Sequence, residues 1–207
     1  MRANVYVDAF NLYYRAIRGT PYKWLNIREL CRLALPRYQI QHIHYCTALI
    51  QPRPSDPQQA QRQQIYIRAL QTDPGTTVHY GSFLTNPVRL PLVAPLPYGP
   101  KFANVLRTEE KGSDVNLATL LVCDGYENAY EAAIVISNDS DLVMPISAVR
   151  NRLGKDVVLF CPAKHPSAEL VAVATYFKSI RKGVLGASQF PHTLTDAYGT
   201  ITKPSHW

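Results

Sequence analysis

Apolar residues fall in short runs between polar, capped stretches, and the period of each run assigns its element. Val5 to Phe10 is apolar apart from one carboxylate, Asp8, and reads as a strand. Asn26-Ile27-Arg28-Glu29 has the capping-box pattern and opens a helix running to about Leu35, ahead of Pro36. Ile40 to Ile50 is rich in β-branched and aromatic residues and gives a second strand. Ser55-Asp56-Pro57 supplies a cap and a first-turn proline for a helix through about Gln71, and Thr76 to Leu84 reads as a third strand.

Five prolines (Pro87, Pro91, Pro95, Pro97, Pro100) then interrupt the rhythm, so residues 86–102 are expected to form an excursion or hairpin arm, too short for a domain. A helix resumes over Ser113 to Cys123. Ala132 to Ser137 (AAIVIS) lacks alternation, as a parallel strand covered on both faces does. A helix from about Asp141 to Leu153 ends at Gly154, Asp156 to Phe160 is a strand, and Ser167 to Phe177 a helix. Strands alternating with helices predict a three-layer α/β/α sandwich on a mostly parallel sheet of about five strands. The expected domain spans 1–178, followed by an irregular tail over 179–207.

Composition narrows the class. With 46% hydrophobic and 18% charged residues, the 207-residue chain is globular and not disordered. Its net charge of +7, from 22 Lys and Arg against 15 Asp and Glu, favours polyanionic partners. No apolar run approaches the roughly 20 residues of a membrane span, and the start is too soon acidic for a signal peptide. Cys31, Cys46, Cys123 and Cys161 are far apart with no CxxC pair, which favours reduced thiols in a cytoplasmic protein over zinc or disulfides. The histidines, His206 included, show no ligand spacing; His42 and His44 read as same-face strand residues.

The candidate chemistry lies in the placement of the carboxylates. Asp8 stands near the end of the first strand, Asp139 and Asp141 directly follow AAIVIS, and Asp114 opens a helix after Lys111-Gly112-Ser113. In an open parallel sheet these positions share the edge where ligands bind. Clustered carboxylates repel one another and call for a cation, and an oxygen-only set suits Mg²⁺ or Mn²⁺ over zinc. Each acid also has a structural use: Asp114 on the helix dipole, Asp139 or Asp141 as an N-cap. Asp8 is the hardest to explain that way, since a lone buried charge is costly. Asn11, Lys111, Ser137 and Asn138 are candidates for binding substrate, although Asn11 suits a turn equally and Ser137 and Asn138 could merely shape a loop.

VYVDAFNLYY (Val5 to Tyr14), KGSDVNLA (Lys111 to Ala118), VISNDSDLVMPI (Val135 to Ile146) and GKDVVLF (Gly154 to Phe160) together resemble the NYN domain family, LabA-like proteins included, a branch of the PIN-like nucleases. The resemblance covers about residues 3 to 162 and implies a PIN-like, Mg²⁺- or Mn²⁺-dependent ribonuclease. It matches the family's acidic positions to Asp8, Asp114, Asp139 and Asp141, and its asparagine to Asn11. Two departures stand out. The family often reads SGDSDF where this chain has Ser137-Asn138-Asp139-Ser140-Asp141-Leu142, and many members carry another acid where this chain has Leu120.

The functional expectation is an endoribonuclease acting on single-stranded RNA, with the four aspartates as metal ligands and catalytic groups and no covalent nucleophile, in a chain able to self-associate. The alternative is a catalytically silent nucleic-acid- or protein-binding module, a reading favoured by Leu120. An aspartyl-phosphate phosphohydrolase fits poorly, because Phe10 stands where a DxD motif needs its second acid.

Overall fold

The computed structural model describes residues 1–95, 97–205 and 207; Leu96, within the proline-rich stretch, and His206 lie outside the described residues. From the start of the chain, β1 (Arg2–Asp8) leads through a short helix α1 (Ala9–Leu12) and a π turn (Tyr13–Ile17) to α2 (Ile27–Ala34). Next come β2 (Gln39–Thr47), α3 (Gln59–Leu70) and β3 (Thr76–Tyr80), then a hairpin of β4 (Ser82–Pro91) and β5 (Phe102–Lys111). The chain returns through α4 (Ser113–Tyr126), β6 (Ala132–Ile136), α5 (Val143–Leu153), β7 (Asp156–Cys161), α6 (Ala168–Val173) and β8 (Tyr176–Ser179). Helix α7 (Lys182–Ala187) and a small hairpin of β9 (Thr193–Asp196) and β10 (Gly199–Thr202) close it.

The central sheet has six strands in the order β3-β2-β1-β6-β7-β8, all pairings parallel. Alternate side chains of the buried strands enter two apolar clusters. Ala3, Val5, Val7, Ile134 and Ile136 meet α1–α3 and α7 on one face, while Tyr6, Ala133, Val135 and Leu159 meet α4–α6 on the other. This is the expected α/β/α sandwich, and it explains why AAIVIS shows no alternation. None of the described helices is long and apolar enough to cross a membrane.

Three segments depart from expectation for local reasons. Residues 167–177 do not form one helix: α6 stops at Val173, and the Thr175 amide donates to the Val157 carbonyl, opening the sixth strand. Residues 179–207 are not irregular, because α7 and the β9–β10 hairpin pack Leu185, Phe190 and Ile201 into the first cluster. The run read as one strand over 76–84 breaks at Gly81, where β3 leaves the sheet and the hairpin begins. A Cβ on Gly81 would collide with the Glu110 carboxylate and with the backbone of Lys111 and Ser113, so only glycine lets the hairpin base approach α4 this closely. Among the thiols, Cys31, Cys46 and Cys161 are buried and Cys123 exposed, all four free.

Candidate functional site

Strand order reverses at β1, which pairs with β2 on one side and β6 on the other, and this switch point lies where β1 and β6 end. Asp8 closes β1 and Ser137-Asn138-Asp139 follows β6, so topology alone brings these distant segments together. Asp114 arrives from the first turn of α4. One carboxylate oxygen each from Asp8, Asp114 and Asp139 lies within 4.8 Å of the others. Two ligands on one small cation stand about 3 to 4.2 Å apart, from bonds of about 2.1 Å, so a modest closure suffices for all three to bind.

The carboxylates are oriented by their neighbours. The Ser137 hydroxyl donates to Asp8 Oδ2 at 2.8 Å, and the Asn11 amide donates to Asp8 Oδ1 at 2.9 Å. The Ser137 oxygen in turn accepts from the Asp139 amide at 3.0 Å. Asp8 is only 4% exposed, and burial is the main reason its carboxyl is held above the usual range, against the lowering effect of those two hydrogen bonds. Burial, followed by the charges of Asp8, Asp139, Glu110 and Asp141, pushes Asp114 up to about 6. Among the described residues none of the three aspartates forms an ion pair. Carboxylates without an ion pair, Asp8 and Asp114 held back from ionising, are the donor set a hard divalent ion fits.

The other candidates divide. Asp141 stays outside the three-oxygen group; it is exposed on the 3₁₀ turn Ser140–Leu142, and its amide donates to Asp139 Oδ1. Lys111 does not face the pocket, because alternation along β5 sends it with Glu109 to the opposite side, where the two pair at 3.1 Å. Ser137 and Asn138 act as braces here. The Asn138 Oδ1 accepts from the Ser167 amide at 2.8 Å, its side-chain amide donates to the His165 carbonyl, and its backbone amide donates to Asn11 Oδ1 at 3.1 Å. Asn11 lines the acidic pocket.

Glu110 is the acid sequence reasoning misses. It lines the pocket beside Asp8, Asp114 and Asp139, and its two oxygens accept from the Ser113 amide and hydroxyl, capping α4 after Gly112 at φ 96°. The signal was Glu109-Glu110 directly ahead of KGSD, but only strand register tells which of the two faces inward. Leu120 packs against the second apolar cluster. Arg15 and Arg53 stand on the pocket rim and supply positive charge.

Beside the carboxylates opens a second cavity of about 890 Å³, walled by α1, the π turn, α3, the 50–56 loop and the outer hairpin. Phe10, Tyr14, Ile50, Arg53 and Phe83 line both spaces, so the two adjoin.

Residues 2–181 match the NYN domain family. A curated relative, the 6-hydroxy-3-succinoylpyridine 3-monooxygenase HspA of Pseudomonas putida, is 27% identical over an alignment of 237 positions that covers all of this chain and 75% of the relative. A crystal structure of a Vibrio parahaemolyticus protein of unknown function superposes with a TM-score of 0.55 at 18% identity, covering 87% of this chain and 93% of the other, a likeness of fold. With the family match spanning most of its length, the chain belongs to the NYN domain family and has that family's PIN-like nuclease fold.

Proposed function

We propose that the protein is a Mg²⁺- or Mn²⁺-dependent endoribonuclease cleaving phosphodiester bonds of single-stranded RNA at the crevice between β1 and β6. The observation behind this reading is the group of three carboxylates within 4.8 Å at the switch point, partly buried and without ion pairs. Asp8, Asp114 and Asp139 would hold the ion, with Asp141 and Glu110 reaching it through water. Such an ion, when bound, offsets charge on the scissile phosphate and eases deprotonation of the attacking water. Ser137 and Asn11 fix both oxygens of Asp8, each of which keeps a lone pair for a ligand. Arg15 and Arg53 draw the phosphate to the rim, and the net charge of +7 favours a polyanionic strand.

Cleavage of a labelled single-stranded RNA should vanish in EDTA and return with Mn²⁺ or Mg²⁺ but poorly with zinc. Undiminished cleavage in chelator would overturn the metal reading, and silence at every Mn²⁺ concentration would point to a binding module.

A second reading rests on the relative named as a monooxygenase and on the aromatic cavity beside the acids: chemistry on a small pyridine-like acid. Oxygen uptake dependent on 6-hydroxy-3-succinoylpyridine, with a reductant supplied, would favour it over RNA cleavage.

A further inference from the structure

We propose that the 890 Å³ cavity is a recognition site for a planar aromatic ring joined to an anionic group, seated so that the anion meets the basic residues between the cavity and the carboxylate crevice. The inference rests on the nuclease reading only in naming the ring as a nucleobase and the anion as its phosphate; a small aromatic acid shares the same chemistry.

Ring recognition follows from the walls. Phe10, Tyr13, Tyr14, Phe83 and Trp207 all face the space. Phe10 and Phe83 meet edge to face with centroids 5.7 Å apart, at the boundary shared with the acidic pocket. Aromatic faces of this kind hold any base by stacking, worth about tenfold or more in affinity per base. The volume lies within the roughly 300–1,000 Å³ range of small-ligand sites.

The anion follows from the charges. Arg18, Lys23, Arg53 and Arg62 line the cavity against a single acid, Asp56. Asp56 pairs with Arg62 through one terminal nitrogen, while the Arg62 Nε is buried with no hydrogen-bond partner. A buried guanidinium N–H left unmet is costly, and a ligand oxygen offered nearby would relieve it once the side chain shifts. Arg53 lines both spaces and so stands between the ring site and the acids. The outer hairpin gains a purpose here, since Phe83, Thr85, Leu106 and Thr108 form one wall.

The test is binding by the full chain in EDTA, which separates it from metal-dependent cleavage. Titration calorimetry with uridine 5′-monophosphate, uridine, ribose 5-phosphate and nicotinate reads the ligand, and tryptophan fluorescence reports the cavity because Trp207 lines it and Trp24, the other tryptophan, packs against Trp207. Uridine 5′-monophosphate should bind, with uridine and ribose 5-phosphate each about tenfold or more weaker. Phe83→Ala and Arg53→Ala should each weaken it by about tenfold at unchanged melting temperature. Preference for nicotinate over the nucleotide, with the same two variants impaired, would keep the site and assign the free aromatic acid as its source. Absence of binding by both uridine 5′-monophosphate and nicotinate, or equal binding of uridine and its phosphate, overturns the proposal, whether or not RNA is cleaved with Mn²⁺.

Discussion

Asp8 and Asp114 hold charge where the fold without metal gains nothing from it. Burial raises the proton affinity of both, and the neighbouring acids add to the effect at Asp114. A carboxyl whose folded pKa stands near 6 keeps its proton while the unfolded chain has already released its own, so the folded state binds more protons between about pH 4 and 6. Stability should therefore fall as pH rises through that window, by at most about 3 kcal/mol for Asp114 and roughly half that after allowing for partial solvent exposure. His44 works in the opposite direction. Burial lowers its imidazole against the raising effect of Asp124, its hydrogen-bond partner at 2.9 Å, so this contact joins a neutral ring to a carboxylate. That stability is present above about pH 6.5 and is lost on acidification. Chemical denaturation across pH 4–7 in EDTA should show the two limbs competing. Asp114→Asn should shrink the falling limb to the part left by Asp8, and an unchanged profile in that variant would refute the assignment. At fixed pH, Asp8→Asn and Asp139→Asn should reduce cleavage about 100-fold or more while leaving the metal-free protein as stable or more so. A loss of about 1 kcal/mol with cleavage retained would instead mark them as caps.

At the scale of elements, the β4–β5 hairpin lies outside the buried core. Its strands pair from Ser82↔Lys111 out to Pro91↔Phe102, and none of their residues is buried. Pro87 and Pro91 are tolerated because a two-stranded ribbon has both outer edges free. Replacing residues 86–107 by a two-residue Asn-Gly turn should keep the melting temperature within a few degrees and still weaken RNA binding, since the wall around Leu106 goes. A collapse in stability would show that the hairpin is part of the core. The same elements show what the chain makes legible. Proline density announces an excursion, but its start at Gly81 depends on a close approach to Glu110 that no local pattern encodes. The capping box is half realised: Asn26 accepts from the Glu29 amide, while the Glu29 carboxylate turns to Arg32 and the Asn26 amide to the Ser188 carbonyl. Helix α3 starts at Gln59 with no side-chain cap, and Asp56, read as part of its cap, pairs with Arg62. Asp8 is legible as a lone carboxylate in an apolar run. Glu110 and Arg53 are not, since one needs strand register and the other the path of a loop.

For the whole molecule, closure of the first core depends on residues that lie after the family match. Residues 182–207 bring Leu185, Phe190 and Ile201 against Trp24, whose indole N–H donates to the Pro191 carbonyl at 2.8 Å, and the Phe190 amide donates to the Trp24 carbonyl. Trp207 packs on both Trp24 and Tyr66. Arg68 of α3 pairs with Asp196 of β9, fastening the small hairpin to the body. The irregular, polar look of this segment hides its role because its apolar residues are spread singly and meet one face only in three dimensions. Ending the chain after Ile180 would expose Trp24 and delete three buried apolar side chains worth about 1.5–3 kcal/mol each. The summed loss of roughly 5–9 kcal/mol is an upper bound, yet it rivals the 5–15 kcal/mol that stabilises an ordinary domain. The shortened chain is therefore expected to lose its cooperative thermal transition and to bind a hydrophobic dye while retaining far-UV helical signal. The carboxylates, carried by β1, α4 and the turn after β6, are untouched by that cut. Saturating Mn²⁺ should consequently restore part of the transition if the ion binds only the folded state. A truncated chain that melts at the full-length temperature would show that the NYN core is closed without this segment.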